Sequence, residues 1–292
     1  MKKNTKTVYL IPFFLFGLFH FCKGEENLKL SEQFDFLSEY YFEQDIRWFL
    51  NHKNEEFQKS YLLEATTSIE AMLISFREQL FFGAFYSNHL GMGKQYRDIV
   101  FDPDDVNYAI NPFLEFRYKG HIFQTGLDHR CFHQIDRNTR KTPYWNQGFI
   151  QVASDNYRHR SFNQSVLQDN DHNPLKRLSW NFYAGYFITD FFGTVNPIIL
   201  SGGHGWTSTI QVRARYAFFS SKSWILSASH AMQFFADTTG TGYWSGQLSV
   251  MADLTRYQHG LSFFANYNYD FPRDMPIYSK DQLIELGMNF WY

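Results

Sequence analysis

The last nine residues of the chain, Ile-Glu-Leu-Gly-Met-Asn-Phe-Trp-Tyr (284–292), alternate between apolar and polar side chains. Because successive residues of a β-strand point to opposite faces, the alternation predicts a strand with one apolar and one polar face. The apolar face carries Ile284, Leu286, Met288, Phe290 and Tyr292. A strand of this kind can contact lipid on one side and a polar lumen on the other, as in a membrane-spanning β-barrel.

The same two-residue period recurs along the whole chain. It is clearest over 206–218, 244–254, 261–268 and 110–118, and weaker over 62–73, 80–88, 146–154, 178–188 and 224–234. Lys119-Gly120 predicts a tight turn from 110–118 into a further strand at 121–133. With the final strand these make eleven, and a single-chain barrel of this kind has an even number. A twelfth strand is therefore expected within 34–50, where an amphipathic periplasmic helix is the alternative.

Composition favours the same fold. Aromatic residues make up 20% of the chain, yet the mean hydropathy is −0.40. After residue 25 no apolar run approaches the ~20 residues that a spanning helix requires. Alternating strands with aromatic girdles explain both facts, so we predict an all-β, antiparallel transmembrane β-barrel of about 10–12 strands. The net charge of −2 gives no sign of nucleic-acid binding.

The N-terminus has the features of a secretory signal peptide. Lys2 and Lys3 precede an apolar run from Val8 to Phe21, and small residues then allow cleavage after Gly24. The predicted organisation is a signal peptide at 1–24, an N-terminal segment at 25–60 (periplasmic helix or first strand) and the barrel at 61–292. We expect export to the outer membrane of a Gram-negative-type cell, with Cys131 as the one thiol of the mature chain.

The segment from Leu127 to Asp136 concentrates reactive side chains. Strand alternation places His129, Cys131 and His133 on the lipid face together with Phe123, Thr125 and Leu127. The same alternation turns Gln124, Asp128 and Arg130 into the lumen. Polar groups on a lipid face are costly unless they are paired, so this cluster near the outer rim is a candidate site.

Asn146 on the next strand is the predicted partner of this cluster. It shares a face with Ile150 and Val152, so it also looks outward. A loop centred near Asn138 would bring Asn146 opposite or diagonal to His129 and Cys131. A nucleophile, a base and an orienting amide would then meet on the barrel wall.

These residues resemble the outer-membrane phospholipase A family, whose His-x-Ser pair and following Trp-Asn lie on the lipid-facing side of a twelve-stranded barrel. The resemblance implies a lipid acyl hydrolase with His129 as base, Cys131 as nucleophile and Asn146 orienting the base. His133 is the alternate base, and calcium is the implied cofactor. The sequence departs from the family at the nucleophile, which is cysteine, at Phe132-His133 in place of Asn-Gly, and in a longer gap to Trp145-Asn146.

Two further resemblances bear on function and partners. The segment is also similar to the His-x-Ser-Ser-His run of an uncharacterised family of bacterial barrel proteins, which implies no assigned chemistry. The last strand resembles the insertion signal of bacterial outer-membrane barrels, which implies the barrel-assembly machinery as a partner. Outer-membrane lipids and a second copy of the chain, forming a homodimer, are the other expected partners.

Three alternatives to the hydrolase stay open at the sequence level. In the first, the histidines and the cysteine are ordinary rim residues of a barrel without assigned chemistry. In the second, His129, His133 and Asp136 bind a metal ion, although no fourth ligand is evident. The third is a small porin-like channel, because Arg213, Arg215, Glu115 and Arg117 give the predicted lumen mixed charge.

Overall fold

The computed structural model describes residues 34–50, 62–93, 95–96, 99–100, 103–134, 144–157, 177–188, 206–221, 223–237, 239–256, 259–269 and 283–292. The strands are β1 (Phe34–Leu50), β2 (Leu63–Phe76), β3 (Leu80–Met92), β4 (Gln95–Tyr96), β5 (Ile99–Val100), β6 (Pro103–Tyr118), β7 (His121–Gln134), β8 (Tyr144–Ser154), β9 (Leu178–Phe187), β10 (Trp206–Ser220), β11 (Trp224–Asp237), β12 (Gly242–Arg256), β13 (His259–Tyr269) and β14 (Leu283–Trp291). Within these ranges no helix has the length and apolar character needed to cross a membrane.

Twelve of the strands close into one antiparallel barrel. β4 and β5 form a separate two-stranded hairpin between β3 and β6. The barrel closes where β1 pairs with β14, with Ile46 opposite Met288. The predicted all-β barrel is confirmed, and its strand count is the even number expected from the membrane topology.

The first strand lies in the segment 34–50, for which the sequence allowed either a strand or a periplasmic helix. β1 pairs with β2 on one side and with β14 on the other, so the strand is the alternative observed. The barrel therefore begins at Phe34 rather than at residue 61. The predicted signal peptide lies outside the described residues and stays a prediction.

Short turns gather at the end of the barrel that carries the C-terminus. Lys119 and Gly120 join β6 to β7 with φ of 47° and 76°. Positive φ at both central residues matches a type I′ turn, in which glycine avoids a steric penalty at its position. The long connection between β8 and β9 also starts at this end, with a 3-10 turn at Asp155–Tyr157. Longer loops connect the strands at the opposite end, which we call the outer rim.

The two faces of the barrel wall have opposite character. On the outside, Ile150 and Val250 are 57% and 58% exposed, as part of a broad set of exposed apolar side chains. An apolar outer surface of this extent suits contact with lipid tails. On the inside, polar side chains such as Glu115, Asp253 and Glu285 are almost fully buried. The predicted alternation between lipid and lumen faces is thus observed.

Ion pairs occupy much of the described lumen. Arg47 lies beside Asp45, Glu64 and Glu285. Arg215 pairs with Asp253 and donates to the Ser227 hydroxyl. A buried charge is tolerated when opposite charges and hydrogen bonds surround it, so these pairs make the polar interior compatible with folding.

Candidate active site on the barrel wall

Three neighbouring strands, β6, β7 and β8, build the candidate site near the outer rim. The two-residue turn after Tyr118 sets the register of β6 against β7, so that Tyr108 lies opposite Cys131 and Ile110 opposite His129. On the other side of β7, His129 lies opposite Asn146. The expectation that Asn146 would come opposite or diagonal to His129 and Cys131 therefore agrees with the observed register.

β7 presents its side chains as the alternation predicts. Asp128 and Arg130 line a lumen cavity of about 300 Å³ and contact each other, with Arg130 Nε 3.1 Å from Asp128 Oδ1. His129, Cys131 and His133 take the opposite face. Their cross-strand neighbour Ile110 is 47% exposed, which marks this face as the outer, lipid-facing one.

His129 and Asn146 form a hydrogen-bonded pair on this outer face. The distance between His129 Nδ1 and Asn146 Oδ1 is 2.8 Å, so a protonated Nδ1 donates to the amide oxygen. A bond of this kind fixes both the ring orientation and the tautomer, and it leaves Nε2 able to accept a proton. The bond also offsets the cost of placing two polar side chains on a lipid-facing wall.

Asn146 is 6% exposed although its side chain is on the outer wall. The amide of Ile188 bonds to the backbone carbonyl of Asn146, so β9 continues alongside this residue. The Ile188 side chain lies over neighbouring Gly148, 3.7 Å from where a β-carbon would be. Asn146 is thus almost inaccessible to solvent, which shields its hydrogen bond with His129.

Cys131 has polar neighbours on both sides along β7. It is a free, partly buried thiol, two residues from His129 and two from His133. The Tyr108 hydroxyl interacts with the thiol and also lies 2.5 Å from His133 Nε2, with the tyrosine and histidine rings stacked. The thiol thus lies between a His–Asn pair and a Tyr–His pair.

Tyr108 was missed by sequence reasoning because β6 was expected to begin at Ile110. The strand instead begins at Pro103 and continues the same alternation through Val106 and Tyr108. Counting ten residues back from Tyr118 and ten forward from His121 pairs Tyr108 with Cys131. The tight turn at 119–120 therefore fixes the register from which the position of Tyr108 could have been predicted.

The predicted metal ligands do not gather in the described part of the chain. No three His, Cys, Asp or Glu side chains come together there as ligands of one ion. Asp136, the third residue of the metal alternative, lies outside the described residues. His133 is bound to Tyr108 instead. Calcium stays a prediction that the resemblance implies.

Comparisons with known proteins identify the fold. No family model and no curated protein matches the sequence. Outer-membrane phospholipase A from Escherichia coli is 12% identical, with a TM-score of 0.50 over 86% of this chain and 91% of that one. The calcium-bound outer-membrane phospholipase dimer from Salmonella typhi is 14% identical, with a TM-score of 0.49 over 86% and 89%. The KdgM porin is 6% identical, with a TM-score of 0.44 over 86% and 98%.

At such identities the comparison concerns architecture. The chain has the fold of an outer-membrane β-barrel. Because enzymes and porins share this fold, chemistry has to be argued from the side chains of this chain.

Proposed function

We propose that this barrel is an outer-membrane acyl hydrolase that cleaves ester bonds of membrane lipids on its lipid-facing wall. The observation that carries the proposal is the 2.8 Å bond between His129 and Asn146, with Cys131 two residues away on the same face. A nucleophile, a base and a group that orients the base form the arrangement used for covalent acyl transfer.

The position of the site suits a lipid substrate. The outer face around it is apolar, with Ile110 and Ile150 both exposed. A lipid in the bilayer then brings its acyl chains against this wall and its ester bonds to the level of the outer rim. The ester reaches the thiol by lateral diffusion and stays in the membrane throughout.

The proposed reaction uses His129 Nε2 as the base and Cys131 as the nucleophile. His129 Nε2 takes the thiol proton while Cys131 Sγ bonds to the ester carbonyl carbon, and Asn146 stabilises the imidazolium through Nδ1–H. The intermediate breaks its C–O bond, and His129 gives the proton to the leaving alcohol. Water then attacks the thioester with His129 as base, the C–S bond breaks, and the proton returns to the thiolate. The products are a fatty acid and a lysolipid.

A single set of variants tests the proposal. The folded protein in mixed micelles with a labelled phospholipid should release fatty acid, and Cys131→Ala should abolish the release. Cys131→Ser is the matched control, since a hydroxyl keeps the shape of the nucleophile and should retain part of the turnover. Iodoacetamide should inactivate the wild type and leave Cys131→Ser unaffected.

Two outcomes of this assay would contradict the proposed hydrolase. Equal turnover in wild type and Cys131→Ala, or no turnover in either with and without calcium, would overturn the hydrolase. Parallel assays with calcium and with a chelator report whether a metal contributes.

Chemical cross-linking in detergent tests the predicted homodimer, and the barrel-assembly machinery stays a predicted partner of β14.

The channel alternative is not favoured by the described lumen. Ion pairs of Arg47 and Arg215 with buried carboxylates occupy the interior. These side chains narrow the lumen of the twelve-stranded barrel, in which the described residues leave a cavity of about 300 Å³.

A further inference from the structure

The Tyr108–His133 pair lies on the side of the thiol away from Asn146, and the proposed reaction as written does not use it. The Tyr108 hydroxyl reaches both the Cys131 thiol and His133 Nε2. Two polar side chains on a lipid-facing wall need a partner to offset their desolvation, and here they partner each other. Their contact with the nucleophile indicates a further role.

Acyl transfer places a negative charge on the carbonyl oxygen of the substrate, and a donor must meet it. In many hydrolases backbone N–H groups serve this purpose. Cys131 is paired with both β6 and β8, and the backbone N–H groups of a strand lie in the plane of the sheet, directed at neighbouring strands. They do not point outward to where a lipid ester would bind. A side chain on the outer face can meet the oxyanion there.

Tyr108 is placed to be that donor. Tyr108 lies directly opposite Cys131 and its hydroxyl interacts with the thiol, so a carbonyl carbon bonded to the sulfur would carry its oxygen toward the same hydroxyl. His133 Nε2–H donates to Tyr108 Oη in one of its tautomers, which leaves the tyrosine proton directed at the substrate. The stacked rings, 5.0 Å between centroids, hold the hydroxyl in place.

We propose that Tyr108 is a catalytic residue that donates a hydrogen bond to the oxyanion formed when Cys131 attacks a lipid ester, and that His133 positions its hydroxyl. This inference rests on the proposed function. His133 is then a positioning residue, in place of the alternate base expected from the sequence.

Tyr108→Phe is the deciding variant, because it removes one oxygen and keeps the ring. We expect kcat for the phospholipid to fall roughly 10²- to 10³-fold with KM little changed, as for loss of one oxyanion donor. Tyr118→Phe is the matched control, since it lies on the same strand and face at the other end of the barrel, and its kcat should be unchanged.

Thiol alkylation separates an oxyanion donor from a group that activates the sulfur. Iodoacetamide reacts with a thiolate by displacement at a saturated carbon, so no oxyanion forms. The alkylation rate of Cys131 should therefore fall by less than about ten-fold in Tyr108→Phe, from loss of the interaction with the thiol, whereas in His129→Ala it should fall together with kcat. Adding His133→Ala to Tyr108→Phe should cause no further loss of kcat, whereas His133→Ala alone should lower it.

The failures of the two proposals are distinguishable. If Cys131→Ala is inactive but Tyr108→Phe keeps wild-type kcat, the hydrolase stands and the oxyanion role is overturned. If alkylation and kcat fall by the same factor in Tyr108→Phe, Tyr108 acts only on the thiol, which also overturns it. If Cys131→Ala retains full turnover, the proposed function itself is wrong.

Discussion

His129 and Asn146 illustrate how one hydrogen bond can serve both folding and chemistry. Their bond gives both side chains a polar partner on a lipid-facing wall. It also holds Nδ1 toward the amide, so that in the proposed reaction Nε2 takes the thiol proton. Because the amide is neutral, it orients the ring without placing a charge in the low-dielectric wall, where a charge would be costly.

Asn146→Ala should lower the rate of lipid hydrolysis roughly 10- to 100-fold, less than the 10²–10⁴-fold that a complete general base contributes. The ring of His129 loses its acceptor and with it the fixed tautomer. The measurement is fatty-acid release from mixed micelles, with heat-modifiable gel migration to show that the barrel is folded. Asn146→Asp, which keeps an oxygen facing Nδ1, is the matched variant and should retain more activity. Unchanged turnover in Asn146→Ala would contradict the orienting role.

The hairpin of β6 and β7 is the element on which the site depends. Its two-residue turn fixes the register, and Gly126 on β7 allows the strands to approach closely. A β-carbon at Gly126 would lie 2.3 Å from the Pro112 carbonyl oxygen and 2.9 Å from Phe113 Cα. These are backbone contacts that cannot rotate away. Phe113 itself belongs to a buried cluster with Met72, Phe81 and Phe149.

Gly126→Ala should lower the free energy of unfolding by about 1–3 kcal/mol, as is usual when a well-packed site is overfilled. Urea unfolding followed by tryptophan fluorescence measures the change. Gly148→Ala on β8 is the control, because its new methyl would meet Ile188 at 3.7 Å, an ordinary contact, and should change stability by less than about 0.5 kcal/mol. Equal midpoints for the two variants would show that the close approach is not a constraint.

The sequence predicted the elements well and their ends less well. Of the eleven strands predicted from the alternation, ten begin and end within four residues of the predicted bounds, but β6 begins seven residues earlier, at Pro103. The alternation continues there with Asp105 and Asn107 on the inner face, and a run that starts with Pro-Asp-Asp has the composition of a turn. Ladder pairing with β3 overrides that local preference.

At the scale of the whole barrel, charges inside the lumen tie distant strands together. Arg215 on β10 reaches Ser227 on β11 and Asp253 on β12. Asp253 is 1% exposed, so its charge depends on this arginine for compensation. Buried ion pairs of this kind narrow the free cross-section that a wide pore would have.

Arg215→Met should destabilise the barrel by about 3–5 kcal/mol, because it leaves a buried carboxylate without its counter-charge. The double variant Arg215→Met with Asp253→Leu should recover most of that loss, since apolar replacements remove the uncompensated charge as well. Urea unfolding of the wild type, both single variants and the double variant completes the cycle. Additive losses would show that the two residues do not act as a pair.

The fold and the two faces of its strands follow from the amino-acid sequence alone. A two-residue period identifies lipid-facing and lumen-facing residues without knowledge of their partners, and an even strand count favoured a strand within 34–50, with a periplasmic helix as the alternative. It also placed His129, Cys131, His133 and Asn146 on the outside. Those are properties of single strands and of chain topology.

Which of these side chains meet depends on how the strands pair in three dimensions. The connection between β7 and β8 is too long for its residue types to fix the register, so the sequence left Asn146 opposite either His129 or Cys131. Pairing of the strands resolves this in favour of His129. The turn at 119–120 did fix Tyr108 opposite Cys131, but its bond to His133 depends on side-chain rotamers. Strand register and side-chain rotamers are set by packing against neighbouring strands. The sequence of one strand does not contain that information.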